Sequence, residues 1–256
     1  MMPRLTFIGS HSGRNIMEVA AIHSFIATAI KKTFQWYQQV TVQPVRWGNL
    51  RRLTPISRIF GLDRGMPIDR YYIEAFLQTH AEDILGSVLE IGEAVYTRQF
   101  GCDRVTQIHV LHAQAGNPQA TVVGDLATGQ GLPTEAFDCM ILTQTLLVIY
   151  DVHSAIANCY AALKPGGVLL ATFPGISQIS RYDMDRWGDY WRFTDASARR
   201  LFGDVFGHDQ VRVNTYGNVL SACAFLQGLA TQELKAQELD YHDPDYQLLI
   251  TVRAVK

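Results

Sequence analysis

Two short segments of this chain, taken with the pattern between them, constrain its fold more than any other feature. The first, SVLEIG at residues 87–92, is an apolar strand pattern that ends in a carboxylate and a glycine. The second, LKPGGV at residues 163–168, is typical of a helix stop, a tight turn and the start of another apolar strand. Strand-like and helix-like runs alternate from the first segment onward, which is the pattern of an α/β fold.

The apolar periodicity predicts where the elements of that fold lie. Strands are expected at residues 87–91, 105–111, 120–123, 137–142, 168–173, 210–216 and 246–255. Helices are expected at residues 15–39, 152–163, 195–202 and 219–234, and a further one after Asp69. Asp69, Asp151 and Thr194 are the predicted N-caps of the helices that follow them.

The composition limits the class of protein. A chain of 256 residues with 48% hydrophobic residues and a net charge of -2 is expected to form one large soluble domain, alone or with an N-terminal extension. That charge gives no overall attraction to nucleic acid, so nucleic acid is not a predicted partner. The four cysteines have no Cys-x-x-Cys spacing, which favours a cytoplasmic protein without a metal site. The apolar run at residues 19–30 is too short for a membrane span.

Residues 1–68 are predicted to form an N-terminal extension, and residues 69–256 the main domain. The helix at residues 15–39 is interpreted as packing on the main domain. Its alternatives are a lid, a homodimer contact or a helix on a membrane surface. The segment 40–67 is rich in arginine, proline and glycine and is interpreted as a cover loop. That loop is either a solvated surface or a pocket edge that holds a phosphate or carboxylate.

The motif around Gly92 and the turn at residues 163–168 resemble those of the class I S-adenosylmethionine-dependent methyltransferases, specifically the type 11 branch. Where that family has Glu-x-Gly-x-Gly-x-Gly, this chain has Glu90, Gly92, Ala94 and Tyr96. The resemblance implies an α/β, Rossmann-like methyltransferase fold with a seven-stranded, mostly parallel sheet, helices on both faces and an antiparallel last strand. It also implies S-adenosyl-L-methionine as the cofactor of the domain at residues 69–256.

The resemblance places the cofactor at the carboxyl ends of the first strands. The turn at Gly92 is expected to hold the methionine part, and Tyr96 is either a lid on the cofactor or an obstruction of its pocket. No acidic residue is available at the end of the second strand, so His109 is the expected ribose partner and cofactor affinity is expected to be modest. Asp125 is expected to contact the adenine, with a turn aspartate as the alternative. The expected cofactor residues are Tyr71, Glu90, Gly92, Glu93, Ala94, Tyr96, His109, Asp125, Leu126, Thr143 and Gln144.

The segment 174–194 is the predicted acceptor site. It follows the fifth strand at the carboxyl edge of the sheet and concentrates aromatic and charged side chains. Asp185 and Tyr182 are the predicted catalytic residues, although an acceptor that is already ionised needs no base. The alternative is an insertion that only buries its tryptophans. The expected acceptor-binding residues are Arg181, Trp187, Tyr190, Trp191 and Arg192.

Together these patterns predict an S-adenosylmethionine-dependent methyltransferase that acts on oxygen or nitrogen of a small-molecule, sugar or peptide acceptor, as in natural-product or glycan modification. The alternative is a catalytically inactive binding or scaffolding module of the same fold, which the replaced glycines and the missing ribose carboxylate favour. A nicotinamide-dependent reductase is disfavoured, because the chain lacks Gly-x-Gly-x-x-Gly and an acidic ribose partner.

Overall fold

The chain forms two compact units, residues 1–51 and residues 52–256. The structure is a computed structural model, and it describes residues 25–33, 46 and 48–256. In the first unit, residues 25–33 form helix α1 and Gly48–Leu50 form a 3-10 turn. The rest of the helix predicted at residues 15–39 lies outside the described residues. Residues 52–67 of the arginine-rich segment belong to the larger unit.

A seven-stranded sheet forms the centre of the larger unit. Its strands are β1 (Gly86–Ile91), β2 (Val105–His112), β3 (Val122–Val123), β4 (Phe137–Thr143), β5 (Leu163–Pro174), β6 (Val211–Tyr216) and β7 (Leu249–Val255). The spatial order is β3-β2-β1-β4-β5-β7-β6. The first five strands pair in parallel, and β7 runs antiparallel to both β5 and β6. The α/β class, the seven strands and the antiparallel last strand are therefore confirmed.

Helices cover both faces of the sheet, as predicted. They are α2 (Ile68–Thr79), α3 (Val152–Ala162), α4 (Arg181–Met184), α5 (Asp195–Phe206), α6 (Val219–Gln227) and α7 (Ala236–Asp240). Helices α3 and α5 pack in one core with Met140 and Leu169, and α2 and α6 pack in a second core with Ile141 and Leu170. Because successive strand residues face opposite sides, β4 and β5 contribute to both cores.

Two of the three predicted helix caps are confirmed. The side chains of Asp151 and Thr194 accept hydrogen bonds from the first turns of α3 and α5. The prediction for Asp69 is wrong, because α2 starts two residues earlier than predicted, at Ile68, with Pro67 in the cap position. Proline fixes a backbone that leads into a helix without a side-chain cap. Asp69 therefore lies inside the first turn of α2.

The predicted helix at residues 219–234 is shorter in the structure. It ends at Gln227, because Gly228 adopts a left-handed φ of +70° and closes the helix. A 3-10 turn, Thr231–Glu233, follows. Within the described part of the chain, no helix is both long and apolar enough to cross a bilayer.

Candidate functional site

Three adjoining cavities form one groove along the carboxyl edge of β1, β4 and β5, where α/β proteins bind ligands. The glycine cavity, of about 320 Å³, lies at the turn after β1. The bridging cavity, of about 230 Å³, adjoins it, and the acidic cavity, of about 150 Å³, lies at the far end. Neighbouring cavities have lining residues in common, which are Arg70, Tyr96 and Thr143 for the first two and Phe60, Asp69 and Gln144 for the last two.

Gly92 makes the glycine cavity accessible to a ligand. Its φ is +79°, in the left-handed region that favours glycine, and a Cβ atom added there would meet nothing within 4 Å. Its N–H donates to the carbonyl of Leu111 at 2.9 Å, and its carbonyl accepts from Nδ2 of Asn117 at 2.8 Å. The turn is thus held by β2 and the loop after it, while its Cα stays open to the cavity.

Glu90 organises the loop beside that turn. Its buried carboxylate accepts hydrogen bonds from the N–H of Tyr96 at 3.1 Å and from the N–H and Oγ1 of Thr97, both at 2.7 Å. Burial raises the pKa of Glu90, and these hydrogen bonds oppose the rise. The carboxylate therefore holds the start of the helical turn Thr97–Gly101 next to the glycine cavity.

Charges of both signs line the glycine cavity. Arg70 and Glu74 lie four residues apart on α2, and Glu93 lies in the loop after β1. This combination suits a zwitterionic amino acid, because a guanidinium binds a carboxylate and a carboxylate binds an ammonium group.

The two replacements in the glycine motif are accommodated in different ways. Ala94 is fully buried in the protein. Tyr96 packs against Phe100, with ring centroids 6.2 Å apart, and lines both the glycine and the bridging cavities. Burial raises the pKa of its phenol. Tyr96 thus lies in the lining of both cavities, and both remain open.

Gln144 follows β4 at the centre of the groove. It lines both the bridging and the acidic cavities, and its N–H donates to the carbonyl of Thr172 at 2.9 Å. Its φ of +49° is rare for a residue with a Cβ atom and costs about 1–2 kcal/mol. Such strained residues cluster at functional sites.

An ion pair shapes the acidic cavity. Asp189 is buried, and its two oxygens accept from Nη1 and Nη2 of Arg192 at 2.5 and 3.0 Å. Burial disfavours the Asp189 anion, but the hydrogen bonds from Arg192 and from the N–H of Ser180 outweigh it and hold the pKa of Asp189 below its usual range. Arg192 also donates to the carbonyls of Gln178 and Trp191. It therefore fixes the loop after β5 around the cavity.

Asp69 lies where the bridging and acidic cavities meet. It is partly exposed, and its Oδ1 accepts from the N–H of Arg70 at 2.8 Å. Burial raises the pKa of Asp69 to about 6, and the Arg70 hydrogen bond and charge oppose the rise. The sequence pattern around Asp69 predicted only a helix cap. Its one sequence signal is an acidic residue in a helical first turn after a proline.

The structure brings part of the predicted site together. Groove residues that the sequence predicted are Glu90, Gly92, Glu93, Tyr96, Thr143, Gln144 and Arg192. Predicted residues that do not line these three cavities are Tyr71, Ala94, His109, Asp125, Leu126, Arg181, Tyr182, Asp185, Trp187, Tyr190 and Trp191. Charged groove residues that the sequence did not predict are Asp69, Arg70 and Glu74, whereas Asp183 and Asp189 belong to the predicted acceptor segment 174–194.

Three predicted cofactor residues have other contacts. Tyr71 donates to Oδ1 of Asp240 at 2.6 Å, which raises the pKa of Tyr71 to about 12. His109 lies before the end of β2, and its ring packs against Phe137. The carboxylate of Asp125 accepts a hydrogen bond from the N–H of Ala127, in the same turn, at 2.8 Å.

The predicted catalytic and aromatic residues of the loop after β5 make other contacts or are exposed. Asp185 is exposed, at 65% of its side chain, and Tyr182 is exposed with the guanidinium of Arg186 3.6 Å from its ring centroid. Tyr190 and Trp191 both pack against Tyr150 rather than facing the groove. Trp187 packs against the ring of His112.

Comparisons with known proteins find a family match for the central segment of the chain. Residues 86–171 match the family model described as "Methyltransferase domain". Among curated proteins, probable polyketide synthase 10 of Dictyostelium discoideum is 26% identical over 131 residues. That match covers 47% of this chain and 5% of the relative, so the chain corresponds to a small part of that protein.

Solved structures similar to the chain include two methyltransferases. The N-methyltransferase NodS from Bradyrhizobium japonicum, in complex with S-adenosyl-L-homocysteine, is 15% identical with a TM-score of 0.48, over 76% of this chain and 90% of that one. An S-adenosylmethionine-dependent methyltransferase from Mesorhizobium loti is 16% identical with a TM-score of 0.48, over 77% of this chain and 100% of that one. Sequence identities this low carry no information about the substrate of this chain.

Proposed function

We propose that this chain, whose residues 86–171 match a methyltransferase domain, is a class I S-adenosylmethionine-dependent methyltransferase that transfers the methyl group to oxygen or nitrogen of a small-molecule, sugar or peptide acceptor. The observation that carries the proposal is the continuous groove, with the open turn at Gly92 at one end and the acidic cavity at the other. Methyl transfer is an in-line displacement, so donor and acceptor have to lie end to end. The groove offers that arrangement.

The glycine cavity suits the amino-acid end of the cofactor. Gly92 leaves room for close approach, Arg70 offers a partner for the carboxylate, and Glu93 offers one for the ammonium group. When bound, S-adenosylmethionine supplies an electrophilic methyl group on a positively charged sulfur. Thr143 and Gln144 lie along the groove between the glycine and acidic cavities, where we place the meeting point of donor and acceptor.

The protein's own contribution is mainly positional. The Asp189–Arg192 pair fixes the loop that lines the acidic cavity, and Gln144 is held by its backbone hydrogen bond to Thr172. Rigid lining residues can hold an acceptor in line and exclude water from the reacting atoms. The acidic cavity, at about 150 Å³, is the smallest of the three and suits the reactive end of an acceptor rather than a whole polymer.

Two measurements on the purified protein test this function. Calorimetry with S-adenosylhomocysteine should show binding, with a Kd on the order of 10 μM. Radiolabelled S-adenosylmethionine should transfer its methyl group to a member of a panel of primary amines, phenols, sugars and short peptides. Absence of binding at about 1 mM ligand would contradict the proposal. Binding without transfer to any acceptor would favour the inactive binding module of the same fold.

A further inference from the structure

We infer that Asp69 is the catalytic base of this enzyme, and that its carboxylate accepts the proton that the acceptor oxygen or nitrogen loses on methylation. The inference rests on the proposed function and adds a catalytic residue to it. Among the described residues that line the groove, Asp69 is the only titratable side chain shared by the bridging and acidic cavities. A base has to reach the acceptor atom while that atom faces the methyl donor, and this junction is where both conditions meet.

The other acidic groups of the groove are less suited to this role. Asp189 is engaged by both terminal nitrogens of Arg192, which stabilises its anion and makes it a poor proton acceptor. Glu90 is committed to the backbone and hydroxyl of Thr97 and lines only the glycine cavity. Asp183 lines only the acidic cavity, beyond the junction.

The surroundings of Asp69 suit proton transfer near neutral pH. The charged and titratable groups that face it are Arg70 on its own helix, Tyr96 across the bridging cavity, and Asp183 and the Asp189–Arg192 pair across the acidic cavity. Burial raises the pKa of Asp69 to about 6, with Arg70 opposing the rise. A carboxylate with this pKa is ionised at pH 7.5 and more basic than an ordinary aspartate.

The proton and electron balance of the step is complete. An acceptor O–H or N–H gives its proton to Asp69, and the electron pair of the acceptor atom forms the new bond to the methyl carbon. The carbon–sulfur bond breaks, and its electron pair stays on sulfur, which becomes a neutral thioether. Asp69 then releases its proton to solvent through the open groove. Since the sulfonium charge and the carboxylate charge are both lost, no further reactant is required.

The first test does not depend on turnover. The side-chain carboxyl of Asp69 is followed by carbon-13 NMR in the protein bound to S-adenosylhomocysteine, and its resonance is assigned by its absence from Asp69→Asn. We expect a titration midpoint near pH 6. A midpoint below about 4.5 would overturn the inference, because the carboxylate would then be no more basic than in a model peptide. Failure of S-adenosylhomocysteine to bind would instead contradict the proposed function.

The second test uses the acceptor that the panel identifies. Asp69→Asn should lower kcat at least 100-fold while changing KM and the S-adenosylhomocysteine Kd by less than about threefold. Asp69→Glu should restore part of kcat, and kcat of the wild type should rise with pH through about 6. Asp209→Asn, which changes an exposed aspartate that lines none of the three cavities, should lower kcat far less. Retention of kcat within tenfold in Asp69→Asn would overturn the inference.

Discussion

A partly buried carboxylate at the junction of two cavities is unfavourable for folding whenever it is ionised. Asp69 is such a group, since burial raises its pKa from 3.8 to about 6 although the N–H of Arg70 donates to its carboxylate. The folded protein therefore binds this proton more tightly than the unfolded chain does. The stabilisation from this difference is fully present below about pH 3.8 and is lost as the pH rises through about 6.

Asp69→Asn should for this reason stabilise the protein at alkaline pH. At pH 8 the free energy of unfolding should exceed that of the wild type by about 1–2 kcal/mol, which is less than the full shift implies because the side chain is partly exposed to solvent. At pH 4 the difference should be well under 1 kcal/mol, because the carboxyl is protonated in the folded protein and only about half ionised in the unfolded chain. Urea unfolding at pH 4, 6 and 8 measures both values. A wild type that is more stable than the variant at pH 8 would contradict this account.

At the scale of single elements, the sequence predicted what depends on neighbouring residues. Apolar runs located the strands, and Asp151 and Thr194 marked helix starts because capping is decided within one turn. The predicted start of α2 was two residues too late, because Pro67 and not Asp69 occupies the cap position. The predicted start of β5, at residue 168, was also wrong. The strand begins at Leu163, which pairs with Phe137 before the register shifts, and this pairing depends on another strand.

Gly92, in the turn after β1, has a matched control in Gly166, near the start of β5. Gly92 has φ +79° and Gly166 has φ +78°, and a Cβ atom at either position would meet nothing within 4 Å. Gly92→Ala and Gly166→Ala should therefore each lower the free energy of unfolding by about 1–2 kcal/mol through backbone strain. Only Gly92→Ala places its methyl group at the glycine cavity, so it alone should weaken S-adenosylhomocysteine binding, by at least about tenfold.

Calorimetry on the two alanine variants distinguishes strain from lost space. Equal weakening of S-adenosylhomocysteine binding in both would show that strain alone is responsible and that the turn at Gly92 does not hold the cofactor. Unchanged S-adenosylhomocysteine binding in both variants would also show that the turn at Gly92 does not hold the cofactor. Urea unfolding on the same samples checks that the two backbone costs are indeed matched.

At the scale of the whole molecule, the groove is assembled from widely separated parts of the chain, which include the first half of α2, the loop after β1, the end of β4 and the loop after β5. Phe60, Phe225 and Leu248 add lining from three further segments. Gly92 and Gln144 could be predicted, because residues that follow parallel strands meet at one edge of the sheet. Asp69 could not, because it precedes the sheet in sequence and reaches the groove only through the packing of α2. Composition located the loop after β5, but the Arg192 hydrogen bonds determine which side of it faces inward.

One ion pair joins the last strand to the segment that precedes the sheet. Nε and Nη2 of Arg253, on β7, donate to the two carboxylate oxygens of Asp83, each at 2.7 Å, across 170 positions of sequence. Both side chains are mostly buried, with exposures of 25% and 18%. Arg253→Met should lower the free energy of unfolding by about 2 kcal/mol, because the Asp83 carboxylate would lose both charged hydrogen bonds.

Arg200→Met is the matched control, since it removes an arginine from the exposed pair with Asp204 within α5. That pair should contribute less than about 0.5 kcal/mol, because water screens both charges and the partners are neighbours in one helix. Urea unfolding should thus separate the two variants clearly. Similar losses in both would mean that the Arg253 pair adds no more than a surface pair. S-adenosylhomocysteine binding should be unchanged in both, because neither arginine lines the groove.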